Sequence, residues 1–402
     1  MDRTSGEISL GIPVERRRAL IKAYRAATPS PTSRPPGSDS AGRDGERLSE
    51  AELGRVARAL LRLQRGLTGE RELAGAAYMD DPELLGAYLL YYWTSSYAQA
   101  SRAMALSGLW PRRVLDLGSG PGPMAAAALD RCAASAVLID GSERALALAG
   151  RLLGQAAALT ERADLESLPP GRSGGEGFDL VMLGHALNEL SGPDAIARRA
   201  AVVRAAAASL EPGGSVLMIE PATLSAAREA MALRDLLVAE GWVIVAPCSR
   251  SGPCPALQAG PGQSCHDEAA WEPPDFVLEL AARCGLDRGL VKMSWFCLRP
   301  PEARLAVEGA IASGEAYRVV SEPMLNKAGR VRRLLCGPAG RFPLSAKRGD
   351  PAAEAAGFFA LGRYELLRVV EPERREGGWG VGPATRLERL RPALAPRPEA
   401  GL

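Results

Sequence analysis

The stretch Val114-Leu115-Asp116-Leu117-Gly118-Ser119-Gly120-Pro121-Gly122 constrains the fold of this chain more than any other. An apolar strand runs into a turn with glycine at alternate positions, and an alanine-rich helix follows from Met124. Without β-carbons the turn lets a ligand touch backbone, and the helix start presents unpaired N–H groups to it. A dinucleotide fingerprint wants a third glycine three residues after the second. Pro123 stands there, which weakens a nicotinamide or flavin reading.

Apolar strands and helical segments alternate beyond the turn. Ala136 to Ile139 reads as a buried second strand ending in Asp140, twenty residues after Gly120, where one carboxylate can accept from both hydroxyls of a ribose. Asp164, after a weak third strand, is a candidate for an adenine amino group. Phe178 to Leu183 is the fourth strand, and Gly184-His185-Ala186-Leu187-Asn188-Glu189 lies at its carboxyl end, where open α/β sheets bind ligands. The turn Glu211-Pro212-Gly213-Gly214 precedes a fifth strand, Ser215 to Ile219. This alternation predicts a parallel, doubly wound sheet. Val291 to Leu298 and Ala316 to Ser321 read as its last two strands.

Gly-x-Gly-x-Gly preceded by an acid resembles motif I of class I S-adenosylmethionine-dependent methyltransferases. The resemblance implies a Rossmann-like core with Asp116, Gly118, Gly120, Gly122, Asp140 and His185 around the cofactor. His185 has two readings, lining of that pocket or a base near the sulfonium. The Asn-Pro-Pro-aromatic motif of amino-directed nucleobase methyltransferases is absent after the fourth strand, so no catalytic group announces itself.

A chain of 402 residues with 47% hydrophobic content buries a sizeable core in one large or two modest domains. No apolar run reaches membrane-spanning length, and the first residues, with Asp2 and Glu7, resemble neither a secretory signal nor an acid-poor transit peptide. A soluble monomer is expected, in bacterial cytoplasm or, in a eukaryote, the mitochondrial matrix. Thr28 to Arg47, rich in Pro, Ser, Gly and charge, reads as a linker. Ser49 and Glu52 form a capping-box pattern before Leu53, Val56, Leu60, Leu63 and Leu67 at helical spacing. A second helix reads from Pro82 through Leu106, with aromatics between Tyr88 and Tyr97 that either pack against a neighbour or stack on RNA bases. The net charge is +2, yet residues 326–402 carry 15 Lys and Arg against 8 Asp and Glu. This basic region is either a phosphate-contacting surface or a solvated tail.

Of seven cysteines, six fall between Cys248 and Cys336, which argues for a local cluster rather than a disulfide scaffold. Cys248, Cys254 and Cys265 lie among Pro and Gly, in a loop that suits a metal centre. Cys336, on a strand from Arg330, is the candidate fourth ligand. Cys132, Cys284 and Cys297 read as small core residues. Spacing alone leaves an iron–sulfur cluster and structural zinc both open.

Motif I, Ile219-Glu220-Pro221, Ala246-Pro247-Cys248 with Cys254-Pro255, Cys265-His266-Asp267-Glu268, and Arg318 to Pro323 leading to Cys336 together resemble one family. It comprises the methyltransferase-like proteins associated with the small subunit of mitochondrial ribosomes, and their bacterial relatives. The resemblance covers roughly residues 75–380. It implies a [4Fe–4S] cluster on the four cysteines, with small-subunit rRNA or an assembly intermediate as partner. The chain departs from the family at Ser264, where an aromatic is usual, at Ser249-Arg250 in place of Pro-His, and at Val381 in place of Asp after Trp379-Gly380.

The expected organisation is a flexible segment and linker (1–48), a helical region (49–110), a methyltransferase-like domain with the cysteine-rich metal-binding insertion at 246–267 (111–325), and a basic C-terminal extension supplying Cys336 (326–402). Two functions fit it: a small-subunit assembly and translation factor that binds rRNA, and an active rRNA methyltransferase using the same pocket. A third, Cys248 as nucleophile of a cytosine C5-methyltransferase, draws on Pro247-Cys248, but that pair belongs after the fourth strand and here follows the fifth.

Overall fold

A computed structural model describes residues 10–28, 44–69, 73, 77–168, 177–302 and 316–390. Most of the linker, and the end of the chain with Arg391 and Arg397, lie outside them. The chain divides into two compact units, one of residues 1–105, 110–219 and 270–291, the other of 106–109, 220–269 and 292–402.

The first unit opens with helices α1 (Val14–Ala27) and α2 (Glu50–Gln64). Ser49 and Glu52 form the capping box that starts α2, whose Leu53, Val56, Leu60 and Leu63 are buried. Helix α3 (Pro82–Ala87) passes through a π-helical stretch, Tyr88–Tyr92, into α4 (Trp93–Leu106). The wider turn crowds the aromatics into the interior: Tyr91, Trp93 and Tyr97 are buried, with Trp93 stacked on Tyr97.

The sheet of this unit contains β1 (Arg113–Leu117), β2 (Ser135–Asp140), β3 (Ala158–Arg162), β4 (Phe178–Gly184) and β5 (Leu210–Glu220). All run parallel in the order β3-β2-β1-β4-β5. Helices α5 (Pro123–Arg131), α6 (Glu143–Leu153) and α7 (Ala195–Ala207) alternate with the strands. The strand order reverses between β1 and β4, and the crevice outside their carboxyl ends is where such sheets bind ligands.

The second unit begins with α8 (Leu224–Ala239), β6 (Val243–Ala246), the short α9 (Pro255–Gln258) and β7 (Asp267–Ala270). Helix α10 (Asp275–Cys284) returns to the first unit, where Arg283 bonds Glu50. Strand β8 (Leu290–Arg299) then pairs with β6 in antiparallel register. A separate sheet follows, built from β9 (Ala316–Val319), β10 (Met324–Leu325), β11 (Arg330–Gly337), β12 (Gly340–Lys347), β13 (Leu366–Val370), β14 (Glu373–Arg375), β15 (Gly378–Gly380) and β16 (Arg386–Leu390), with α11 (Pro351–Ala355) between β12 and β13.

Sequence pattern assigns Ala316 onward to the Rossmann-like sheet. In the structure β9 pairs instead with β11 and β13. All four of its residues are buried, so the run reads like a doubly covered parallel strand although it belongs to a small antiparallel sheet. Tyr317, Val319, Leu335, Leu344, Phe358 and Leu367 fill the core of that sheet.

Candidate functional site

The glycine turn follows from the strand it caps. Gly118, Gly120 and Gly122 all have positive φ. At Gly118 a β-carbon would stand 2.4 Å from Ala186 Cβ, so only glycine lets the turn close against the segment after β4. Trp93 Nε1 donates to Pro121 O (3.0 Å) and pins the turn to α4.

Two acids brace the turn. Asp116 is 1% exposed and its carboxylate accepts from Ala125 N (3.0 Å), holding the first turn of α5, while burial pushes its pKa up to about 7. Asp140 accepts from Gly120 N (2.7 Å) and Ser142 N (2.8 Å), and burial raises its pKa too. A carboxylate has about four acceptor sites, so Asp140 keeps capacity for ribose hydroxyls beside these two bonds. Asp164, the adenine candidate, accepts from Glu166 N (3.0 Å) at a short helical turn.

His185 stands at the end of β4 with φ 57°, its N–H donating to Ile219 O (2.7 Å). Its Nε2 lies 2.8 Å from Gln99 Oε1, and burial together with Arg288 lowers its pKa to about 4. The ring is therefore neutral at physiological pH with one nitrogen engaged, an arrangement that suits a pocket wall better than a free base.

Three further residues stand at this crevice, and no sequence signal marks them. Tyr78 OH lies 3.3 Å from Glu189 Oε1, Met79 would meet a β-carbon placed on Gly120, and Asp80 accepts from Ser142 Oγ (2.7 Å). They form a short turn before α3, about forty residues upstream of the glycines, and no spacing rule connects them.

A second site lies wholly within the other unit. Cys248 follows β6, Cys254 caps α9, Cys265 precedes β7 and Cys336 sits on β11. The four come close enough to act on one another. Burial pushes Cys248 up to about 12, opposed by Arg234 and reinforced by Cys265, Cys336 and Cys254. Cys336 is likewise pushed up to about 12 by burial, Cys265 and Cys254, and burial raises Cys265. Among the described residues no three His, Cys, Asp or Glu side chains stand close enough to hold a single ion.

Helix α8 shapes the loop that brings these thiols together. Arg234, 1% exposed, donates to Gly252 O (2.6 Å) and Arg250 O (2.8 Å) and pairs with Asp235. Asp235 accepts from Cys254 N (2.9 Å), and Arg228 donates to Gly260 O and Gln263 O. From the second sheet and the segment before β13, Tyr364 OH lies 3.6 Å from Cys265 Sγ, and Arg318 of β9 spans Pro247 O (2.8 Å) and Tyr364 O (2.7 Å). Ser249 Oγ donates to Cys336 O (3.3 Å).

The charges around the thiols test what would fit there. Arg234 acts on Cys248, Arg250 and Arg341 on Cys336, and Arg341 and Arg363 on Cys265. The Nε donors of Arg234, Arg250 and Arg341 are buried without a hydrogen-bond partner. Buried unpaired donors of this kind cost stability, and an anionic thiolate-held group would offset that cost. Cys132, Cys284 and Cys297 are placed elsewhere: Cys132 Sγ donates to Pro111 O, Cys284 Sγ to Ala57 O, and Cys297 is buried in β8.

Fold and glycine turn together define a class I methyltransferase-like protein with an added β domain. The chain belongs to the family described as mitochondrial small ribosomal subunit Rsm22, whose model matches residues 86–343, a span that includes the glycine turn and all four clustered cysteines. Among curated proteins none matches it. It is similar to the solved N-methyltransferase NodS from Bradyrhizobium japonicum in complex with S-adenosyl-L-homocysteine (15% identity, 60% of this chain and 98% of that one, TM-score 0.36). It is also similar to S-adenosylmethionine-dependent methyltransferases from Thiobacillus denitrificans (19%, 51% and 90%, 0.31) and Geobacter sulfurreducens (18%, 51% and 90%, 0.30). No helix among the described residues is long and apolar enough to cross a membrane.

Proposed function

We propose that this protein binds S-adenosylmethionine at the glycine turn, holds a [4Fe–4S] cluster on Cys248, Cys254, Cys265 and Cys336, and serves small-subunit assembly and translation by binding rRNA as a monomer. The reading places it in bacterial cytoplasm, or in the mitochondrial matrix if the source is a eukaryote. The observation that carries it is the gathering of four thiols, from a proline-rich loop and a strand about seventy residues away, among arginines whose Nε donors are buried and unpartnered.

In this reading Gly118, Gly120 and Gly122 pass the backbone close to the methionine part of the cofactor, Asp140 holds the ribose, and Asp116 and Trp93 keep the turn in shape. The cluster, when bound, supplies a thiolate-anchored crosslink. Its four ligands staple the loop after β6 to β11, and the arginines offset their charge. The thiols lie within electrostatic reach of one another, and the family resemblance is what favours a cluster over a single ion. Zinc on the same thiolates is the alternative.

Engagement of His185 with Gln99, and the missing catalytic motif, favour an assembly factor over a turning-over enzyme. An active rRNA methyltransferase is the second reading. Sequencing of rRNA modifications with and without the protein separates them: loss of a single methyl mark, restored only by a protein with an intact glycine turn, establishes the enzyme.

Protein purified without oxygen is expected to contain iron and acid-labile sulfide. Changing any of the four cysteines to Ser should lower both, whereas Cys132→Ser, Cys284→Ser and Cys297→Ser leave them intact. Stoichiometric zinc without sulfide overturns the cluster and keeps the site. In calorimetry Gly120→Val should abolish S-adenosylmethionine binding, because valine at φ +51° is strained and pushes on Met79. Asp140→Ala should weaken it by roughly 1.5–3 kcal/mol for charge-assisted bonds lost.

A further inference from the structure

Helix α2 carries a row of charge on the side that the core leaves uncovered. Leu53, Val56, Leu60 and Leu63 fill its buried side. On the outer side Arg55, Arg58, Arg62 and Arg65 recur at intervals of three, four and three, which at 3.6 residues per turn sets them along one face. Arg65 caps the helix with αR backbone geometry, so the row keeps its pitch to the last member. At 1.5 Å per residue it spans about 15 Å. Arg58, Arg62 and Arg65 are exposed, and Arg55 is half-buried.

The acids of α2 do not neutralise this row. Glu50 accepts from Arg283 (2.6 Å) and Glu52 from Arg25 (2.8 Å), both arginines of other helices. Among the described residues Arg62 is the one member of the row held in ion pairs, with Asp81 (3.3 Å) and Glu83 (3.5 Å). Its side chain is 52% exposed, and exposed pairs of this kind contribute little, so a stronger anion can displace them. The face holds no aromatic side chain. Leu61, 38% exposed, is its one large apolar residue.

We propose that Arg55, Arg58, Arg62 and Arg65 dock the first unit on the phosphate backbone of duplex RNA, without regard to sequence. Guanidinium forks match phosphate oxygens two at a time. Single-strand binders add aromatic platforms for unstacked bases, and a helix lying on a membrane needs an apolar side to insert; this face offers neither. A helical RNA is recognised mostly by its shape, its 2′-hydroxyls and its phosphates, which a row of arginines can follow. The choice of RNA over an acidic protein surface rests on the rRNA partner proposed above; the duplex assignment rests on the face itself.

The test uses full-length protein purified without oxygen and a fluorescent RNA hairpin with a stem of about sixteen base pairs, the span over which shape-reading domains engage a duplex. Arg58→Gln/Arg65→Gln should lower affinity roughly tenfold and flatten the slope of log affinity against log salt by about 1.8, at about 0.9 per duplex phosphate. Arg58→Lys/Arg65→Lys keeps both charges and should keep the slope. Arg144→Gln/Arg151→Gln removes two exposed charges from α6 of the same unit and should change neither quantity. Unchanged affinity and slope in the first variant overturn the row, and so does an equal loss in the lysine variant or the α6 variant. Tighter binding of an unpaired RNA of the same length overturns the duplex assignment. Displacement of the hairpin by polyglutamate at equal charge concentration overturns the proposal in favour of an acidic protein partner. Co-sedimentation with the small subunit is scored separately. Wild-type protein that co-sediments yet ignores the hairpin refutes the row and leaves the partner reading standing; binding through the row without co-sedimentation does the reverse.

Discussion

Asp116 shows how one residue serves a cofactor site without facing it. Its carboxylate is buried behind the glycine turn with Ala125 N as its recorded donor, and a pKa of about 7 in place of 3.8 means the native state holds that proton more tightly than the unfolded chain. Between those values the folded protein binds more protons. The associated stability is present below about pH 4 and lost as pH rises through about 7. Asp116→Asn keeps an acceptor for Ala125 and removes the charge. The variant should match wild type near pH 4 and exceed it near pH 8 by at most about 4 kcal/mol, read from urea midpoints at the two pH values. A gap that does not widen with pH would show that the carboxylate finds better partners than Ala125 N. The glycines and Asp140 were legible in the sequence because their spacing from β1 is a local matter. Tyr78, Met79 and Asp80 were not, since only the folded chain brings that turn to Gly120 and Ser142.

Strand β9 is tied to the cysteine loop by Arg318, alongside the contacts made by Ser249 and Tyr364. Arg318 is 7% exposed and bonds Pro247 O, next to Cys248, and Tyr364 O, whose own hydroxyl reaches Cys265. Arg318→Met retains the length of the stem but leaves two buried carbonyls without this donor. The expected cost is about 2–4 kcal/mol, at one to two per carbonyl. It should appear as a lower melting temperature and, if the four thiols hold the proposed cluster, as faster loss of iron to a chelator although none of the four cysteines has been changed. Loss of iron at the wild-type rate would confine the role of Arg318 to the sheet of β9 to β16. The parallel strands were readable as short apolar runs between helices, and α2 from its capping box. The second sheet was not readable as a unit, because its strands alternate buried and exposed residues weakly, and β14 to β16 are too short to show any period.

Charge is the property that belongs to the whole molecule. The surplus of +7 beyond residue 325 is visible as composition, which leaves a phosphate-contacting surface and a solvated tail both open. Fold and charge are entangled there. Arg386 to Leu390 form β16, paired along its length with β13, and Arg389 bonds Glu365 (2.9 Å). A chain ending at Val381 loses β16 and its pairing with β13, so any RNA affinity would fall for want of structure whatever its charges do. A chain ending at Leu390 keeps β16 and drops Arg391 and Arg397. If the basic region acts as a distributed phosphate surface, this shorter truncation should flatten the salt slope for small-subunit rRNA by about 1.4, the release expected for two single-strand contacts, with the melting temperature unchanged. An unaltered slope would show that Arg391 and Arg397 contact no phosphate and that the distributed surface does not reach them.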